Sequence, residues 1–326
     1  MDNLLSVRNL RTYFHLEEGV ARVIDDVSLE VGRGQTTALV GESGCGKTML
    51  ALSILNLVPG PGKVVGGQIF FQEKNLLKLS DKEFQTLRGK DIAMVFQEPM
   101  SSFNPVLTVG FQIAESLIYH RNLSKEEATE EAINLLKKVE IPEPDLRFHD
   151  YPHQLSGGMR QRAMIAMGLS CKPKLLILDE PTTALDVTIQ AQVLDLVKKI
   201  KEEEKLTIVL ITHDLAIVED LAEKVAIMYA GRIVETGSIK EIFLGCRHPY
   251  TGGLLASVPD LAHPREFLKA IRGTVPEPLN KPGGCPFHPR CERRIEPCDK
   301  AFPAEIRITE THSVGCYNPV DADLRR

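Results

Sequence analysis

The chain has 326 residues, 43% of them hydrophobic and 25% charged, with 39 lysines and arginines against 44 aspartates and glutamates for a net charge of −5. That length supports one large or two modest domains with a full core, and no apolar run approaches the roughly 18 to 20 residues that span a bilayer. The acidic balance counts against a broad nucleic-acid footprint. The start, Met1-Asp2-Asn3-Leu4-Leu5-Ser6, lacks a basic region ahead of an apolar core, so no secretory signal is expected and a cytoplasmic location is the default.

From Leu4 to Val31, short β-type runs (Leu5-Ser6-Val7, Val23-Ile24, Val27-Ser28-Leu29) alternate with turns and predict a small antiparallel lateral sheet. Thr37 to Val40 reads as a buried strand and Met49 to Leu55 as a helix, and the segment between them is GESGCGKT, Gly41 to Thr48. Strand, glycine-rich loop and helix together form the phosphate-cradling loop of a nucleotide-binding protein. Gly41 and Gly46 let the backbone turn, so that N–H groups from Ser43, Gly44, Cys45, Gly46, Lys47, Thr48 and Met49 converge on phosphates at a helix N-terminus. Lys47 would reach the β and γ phosphates, and Thr48 would hold Mg²⁺.

The string PGPGKVVGG (Pro59 to Gly67) breaks any helix, strands are predicted at Gln68 to Phe71 and Ile92 to Phe96, and apolar spacing turns helical between Val109 and Leu169. Leu175 to Leu178 and Thr207 to Ile211 flank a predicted helix over Ile189 to Glu204, a βαβ unit with parallel pairing. Val225 to Tyr229 and Ile233-Val234 read as a hairpin about Ala230-Gly231. After about Pro259 proline becomes frequent, predicting a linker and an irregular appendage.

The strand LLILDE ends in two carboxylates at the rim where α/β sheets bind ligands. Asp179 suits the magnesium shell through water. Glu180 suits the general base that orients the attacking water. Ser156-Gly157-Gly158 opens a helical stretch whose N-terminus favours an anion.

With GESGCGKT, VFQEP, LSGGM, LLILDEP, TALD and ITHD in this order, Leu4 to Ala256 resembles the ATP-binding subunits of ATP-binding cassette transporters. The resemblance implies an α/β fold: a P-loop NTPase core with a parallel sheet, an N-terminal antiparallel β subdomain, a helical subdomain over about 98–168, and an irregular cysteine-rich C-terminal extension. The nucleotide-binding domain would cover 1–258 and the extension 259–326. Two cassettes would sandwich ATP between the phosphate loop of one and Ser156, Gly157 and Gly158 of the other, with Asp186 at their seam. Gln97 would serve Mg²⁺, the water and communication with the membrane partner, and His213 would meet the γ phosphate. An aromatic residue stacks on adenine in this family; of Tyr13 and Phe14, the amphipathic Tyr13 suits a wet pocket.

Met159 and the stretch QEPMSSFNPVLTVGFQIAE resemble the dipeptide and oligopeptide importer subfamily, with nickel and glutathione uptake as close alternatives. The partners implied are two transmembrane permease subunits, a second ATP-binding subunit and, indirectly, an extracytoplasmic solute-binding protein, with the chain on the cytoplasmic face of the membrane. A rival of another class, a soluble cassette ATPase acting on nucleic acid or the ribosome, is disfavoured by the acidic charge and by the presence of one cassette without a long coiled coil.

Cys285, Cys291, Cys298 and Cys316 fall in one proline-rich tail, and four thiols in a cytosolic chain point to a metal centre rather than disulfides. Structural zinc uses pairs spaced more tightly than these, whereas iron–sulfur clusters tolerate longer gaps. The tail also resembles the C-terminal extension of peptide-importer ATPases, some of which carry a [4Fe-4S] cluster. Zn²⁺ is the alternative, with His288 and His312 as substitute ligands.

Overall fold

The computed structural model describes residues 2–183, 185–257 and 271–321. Two compact units emerge: Met1–Gly32, Thr36–Leu77 and Ile211–Arg326 form the first, and Arg33–Gln35 with Lys78–Leu210 the second. The first opens with β1 (Asn3–Leu16) and β2 (Gly19–Gly32), an antiparallel pair far longer than the predicted short runs. The pairing survives the polar positions because Asn9 (φ 47°) and Asp26 (φ 66°) sit where the register shifts, so each bulge absorbs a residue without ending the strand. β3 (Thr36–Val40) is buried at all five residues and leads through the glycine-rich loop into α1 (Lys47–Ile54).

β4 (Gly62–Phe71) starts six residues before the predicted Gln68 and pairs with β1. A side chain at Gly62 would strike the Phe14 ring, so glycine there permits close strand pairing where composition alone suggests a loop. With β5 (Lys74–Asn75) the lateral sheet has the order β2-β1-β4-β5.

The second unit holds α2 (Asp81–Leu87), β6 (Ile92–Val95), α3 (Pro99–Ser102), α4 (Val109–Arg121), α5 (Lys125–Lys138), α6 (Pro144–Arg147), α7 (Gly157–Leu169), β7 (Leu175–Asp179) and α8 (Val187–Glu204). Local chemistry fixes the helix starts: Ser80, Thr108, Ser124, Ser156 and Asp186 each accept a backbone N–H at an N-cap. The helical insertion is present, and its α5 buries Ala128, Ala132, Leu135 and Leu136 on one face. β6 and β7 pair in parallel, as buried apolar strands in α/β proteins do.

β8 (Thr207–Thr212) carries the chain back into the first unit, where α9 (Leu215–Leu221), β9 (Lys224–Tyr229), β10 (Arg232–Ser238), α10 (Ile239–Gly245) and α11 (Pro249–Ala256) follow. Ala230 (φ 44°) and Gly231 (φ 81°) make the two-residue turn of the predicted hairpin.

The expected boundary at 258/259 and the first linker prolines, Pro259 and Pro264, lie outside the described residues. From Ile271 onward the extension is irregular, as expected, with β11 (Ile306–Arg307) and β12 (Ser313–Val314) its only strands among the described residues. It is nonetheless built into the first unit. β12 pairs with β10, giving the strand order β11-β12-β10-β9-β3, and Cys285 and Phe287 share a core with Tyr229 and Tyr250. Glu241 joins in by accepting hydrogen bonds from Thr309 and Thr311. Burial would raise its pKa, but these bonds and those from Ser238 outweigh that and hold it down at about 2.

Candidate functional site

The phosphate loop is preformed around Lys47, whose side chain is only 5% exposed. Its Nζ donates to the carbonyls of Gly41 (2.8 Å) and Glu42 (3.1 Å). The ammonium thus rests inside the loop whose phosphates it would meet, held by acceptors that a nucleotide can replace. A Cβ on Gly41 would lie 2.2 Å from the Met228 carbonyl oxygen, and Gly46 caps α1 with φ 106°, so neither position admits a side chain. The loop is pinned from outside as well: Cys45 accepts at its carbonyl from Gly231 N–H (2.8 Å), and Glu42 N–H donates to the Tyr250 hydroxyl (2.9 Å). Ser43, Gly44 and Thr48 face solvent, Met49 is half-buried, and α1 then turns inward at Leu50 and Ala51.

Tyr13 is half-buried on β1, and its hydroxyl donates to Asp25 (2.9 Å), which also pairs with Arg232 (3.0 Å). The ring is therefore held by the lateral sheet, while Phe14 covers Gly62. Asp25 is held below the usual carboxylate range, because Arg232 and the Tyr13 hydroxyl outweigh the effect of burial. His213 follows β8 in the first unit and is exposed.

In the second unit, Gln97 Nε2 donates to Glu180 Oε2 at 3.0 Å, and the Thr183 hydroxyl reaches the same oxygen at 3.0 Å. Two elements far apart in sequence, the end of β6 and the end of β7, thus converge on one carboxylate. Glu180 itself has φ 46°, a left-handed conformation uncommon for glutamate that turns it away from the line of β7. Asp179, one residue earlier, is buried at the strand end. Ser156 caps α7 by accepting from Met159 N–H (3.3 Å), and Ser156 and Gly157 are exposed. Asp186 caps α8 through Ile189 N–H (3.0 Å), a local role beside the seam role the resemblance implies; Ala184 of the same motif lies outside the described residues.

The four tail cysteines all line one small pocket together with His248 and Phe287. Burial pushes the Cys285 and Cys316 thiols up to about 11 and raises Cys291, while a backbone N–H two residues on (Phe287, Arg293, Asn318) hydrogen-bonds each sulfur and opposes the shift. Among the described residues no group of three or more histidine, cysteine, aspartate or glutamate side chains stands arranged to hold a metal ion. His312 lies elsewhere: its Nε2 is 2.8 Å from the buried Glu235.

Two family profiles match the sequence, "ABC transporter" over residues 24–183 and "Oligopeptide/dipeptide transporter, C-terminal region" over residues 234–298. The chain is 48% identical over 318 residues to the dipeptide transport ATP-binding protein DppD of Bacillus subtilis (strain 168), covering 97% of this chain and 95% of that one. The chain belongs to the ATP-binding cassette transporter family. This cassette is also 46% identical to the oligopeptide transport ATP-binding protein AppD of the same organism (97% of each chain), and 45% identical to DppD of Escherichia coli (strain K12), over 98% of this chain and 97% of that one. Among solved structures it is similar to the ATP-binding cassette MJ0796, a dimer in a post-hydrolysis state bound to ADP and Pi, with TM-score 0.66, 27% identity and coverage of 72% of this chain and 98% of that one. The cassette is an ATPase.

Sequence reasoning missed one contact of this site altogether. Arg290, from the tail segment CPFHPRC, is ion-paired with Glu42 of the phosphate loop. The pair is separated by 248 residues, and no local pattern signals it.

Proposed function

We propose that this cassette drives import of dipeptides or oligopeptides through a membrane transporter, from the cytoplasmic face. The observation that carries the reading is the match of residues 234–298 to the oligopeptide/dipeptide transporter C-terminal region, alongside nearly full-length similarity to peptide transport ATP-binding proteins. No described helix is long and apolar enough to cross a membrane, so the translocation path would belong to permease subunits. Exposed apolar side chains on the helical insertion, Val106 at 75%, Tyr119 at 65% and Leu146 at 55%, supply a surface for such partners.

In this reading two cassettes close on ATP, the phosphate loop of one facing Ser156, Gly157 and Gly158 of the other. Lys47 stabilises charge on the β and γ phosphates, His213 contacts the γ phosphate, and Tyr13 stacks on adenine. Glu180 orients the attacking water and takes its proton, while Gln97 holds the carboxylate and relays its state toward the permease surface. Mg²⁺ would neutralise the phosphate oxygens, and the sequence motifs and the family resemblance assign Thr48, Gln97 and Asp179 to it. Reconstitution with two permeases, a second ATP-binding subunit and a solute-binding protein is expected to give ATP-dependent uptake of labelled dipeptides. Uptake of nickel or glutathione in place of peptide under the same conditions would overturn the assignment of substrate.

The same reading places a [4Fe-4S] cluster on Cys285, Cys291, Cys298 and Cys316. Its support is that the four cysteines line one small pocket and that their spacing lacks a tight zinc pair; in this structure the four do not stand arranged to hold a metal ion, and burial favours the thiol form of Cys285, Cys291 and Cys316. When bound, the cluster would tie four stretches of tail to one centre. Protein purified without oxygen is expected to contain about four irons and four sulfides per chain, in line with such a cluster; a colourless preparation with stoichiometric zinc would assign the pocket to Zn²⁺ instead.

A further inference from the structure

The cysteine-bearing tail reaches the phosphate loop directly. Arg290 stands one residue before Cys291, and its guanidinium forms a two-pronged pair with Glu42, Nη1 to Oε2 at 2.7 Å and Nη2 to Oε1 at 3.0 Å. The arginine side chain is 6% exposed. Its remaining donors are also engaged: Nη1 reaches the Tyr229 hydroxyl (3.2 Å), Nε the Arg272 carbonyl (2.8 Å) and Nη2 the Gly273 carbonyl (3.1 Å). A planar fork held at this many points is rigid, which suits arginine and not lysine.

Glu42 in turn makes several of the contacts that set the loop. Its N–H is fixed by Tyr250, and its carbonyl accepts from both Lys47 Nζ and Cys45 N–H. The side chain of one residue therefore belongs to the tail clamp, and its backbone to the cradle. The loop has glycines at 41, 44 and 46, the last two at positive φ, so little in its own sequence restrains it. A restraint from outside lowers the ordering cost when a ligand binds.

We propose that Arg290 is a positioning residue of the nucleotide site: by holding Glu42 from the tail, it keeps the phosphate loop in its ligand-receiving shape and links the cysteine pocket to nucleotide affinity. This rests on the reading of the loop as the ATP site. Because linkage is reciprocal, whatever displaces Arg290 weakens nucleotide binding, and nucleotide in turn steadies the segment that bears Cys285 and Cys291.

Equilibrium binding of ATP to the full chain tests it, using Arg290→Gln, Arg290→Lys, Glu42→Gln and the double variant Glu42→Gln with Arg290→Gln. Each glutamine variant is expected to weaken ATP about tenfold, the scale of a charge-assisted bond, and the double variant no more than the worse single one, because both break the same pair. KM should rise by a larger factor than kcat falls, and Arg290→Lys should restore affinity only in part. Melting temperatures without nucleotide establish that each variant folds. If Arg290→Gln does not fold, Glu42→Gln, which leaves the tail untouched, decides alone. ATP affinity within twofold of wild type in a folded variant, or losses that add in the double variant, would overturn the proposal. Lys47→Ala serves as control: if wild type fails to bind ATP and this variant is no different, the nucleotide reading itself has failed, whereas tight binding by wild type and by folded Arg290 variants alike removes only the positioning role.

Discussion

Replacing Glu180 with glutamine is expected to preserve ATP binding and to lower steady-state hydrolysis by about 10²–10⁴-fold, the range for loss of a general base. Glutamine keeps the size of the side chain and can still accept from Gln97 and Thr183, so the geometry around position 180 should survive. What is lost is the capacity to take a proton from water. The measurement is phosphate release under saturating ATP, together with retention of labelled nucleotide by the variant. Hydrolysis at the wild-type rate would remove Glu180 from the reaction.

Lys47→Ala should show the second large effect, weakening nucleotide binding on the order of 100-fold or more through the loss of charge-assisted bonds to phosphate. In the nucleotide-free chain the ammonium satisfies the carbonyls of Gly41 and Glu42, so alanine also deprives two loop acceptors of their donor. Both consequences are readable in one thermal melt. The variant should lose the stabilisation that ADP and Mg²⁺ confer on wild type, which follows RT ln(1 + [L]/Kd). A full nucleotide-dependent shift would mean that phosphate is held elsewhere.

The nucleotide core was legible in the sequence because its residues obey local rules. Glycines stand where backbone must turn or close in, a buried strand precedes each acidic or phosphate-binding segment, and Ser156 announces a helix start. Gln97 and Glu180 were each singled out in the sequence, but their pairing was not: the parallel pairing of β6 with β7 brings the two strand ends together. Strand length was harder. β1 and β2 run through Asn9 and Asp26, which read as turn residues, and β4 begins inside a glycine- and proline-rich string. In both places tertiary pairing overrides local preference.

The packing of the tail was not legible in the sequence. Four cysteines in a proline-rich segment lead to the expectation of a metal centre; the structure lines one small pocket with all four, but among the described residues no group stands arranged to hold a metal ion. Nothing in that spacing says that the Phe287 ring will pack edge-to-face with Tyr229 and tilted against Tyr250 at ring distances of 5.2 and 5.3 Å, or that Arg290 will find Glu42. Such contacts join distant stretches of chain through shape and charge, and single-sequence patterns carry no record of them.

The two residues of β12 bear on how this protein can be handled. They occupy the side of β10 away from β9, and β11, equally short, finishes that border. A chain cut after Ser257, which would look like a complete catalytic fragment by its motifs, would bare the amides and carbonyls of β10 and strip Phe287 from the faces of Tyr229 and Tyr250. An open border beside exposed rings invites neighbouring molecules to add strands, the usual route to precipitation. The border of β10 is thus covered by residues that belong to none of the signature motifs.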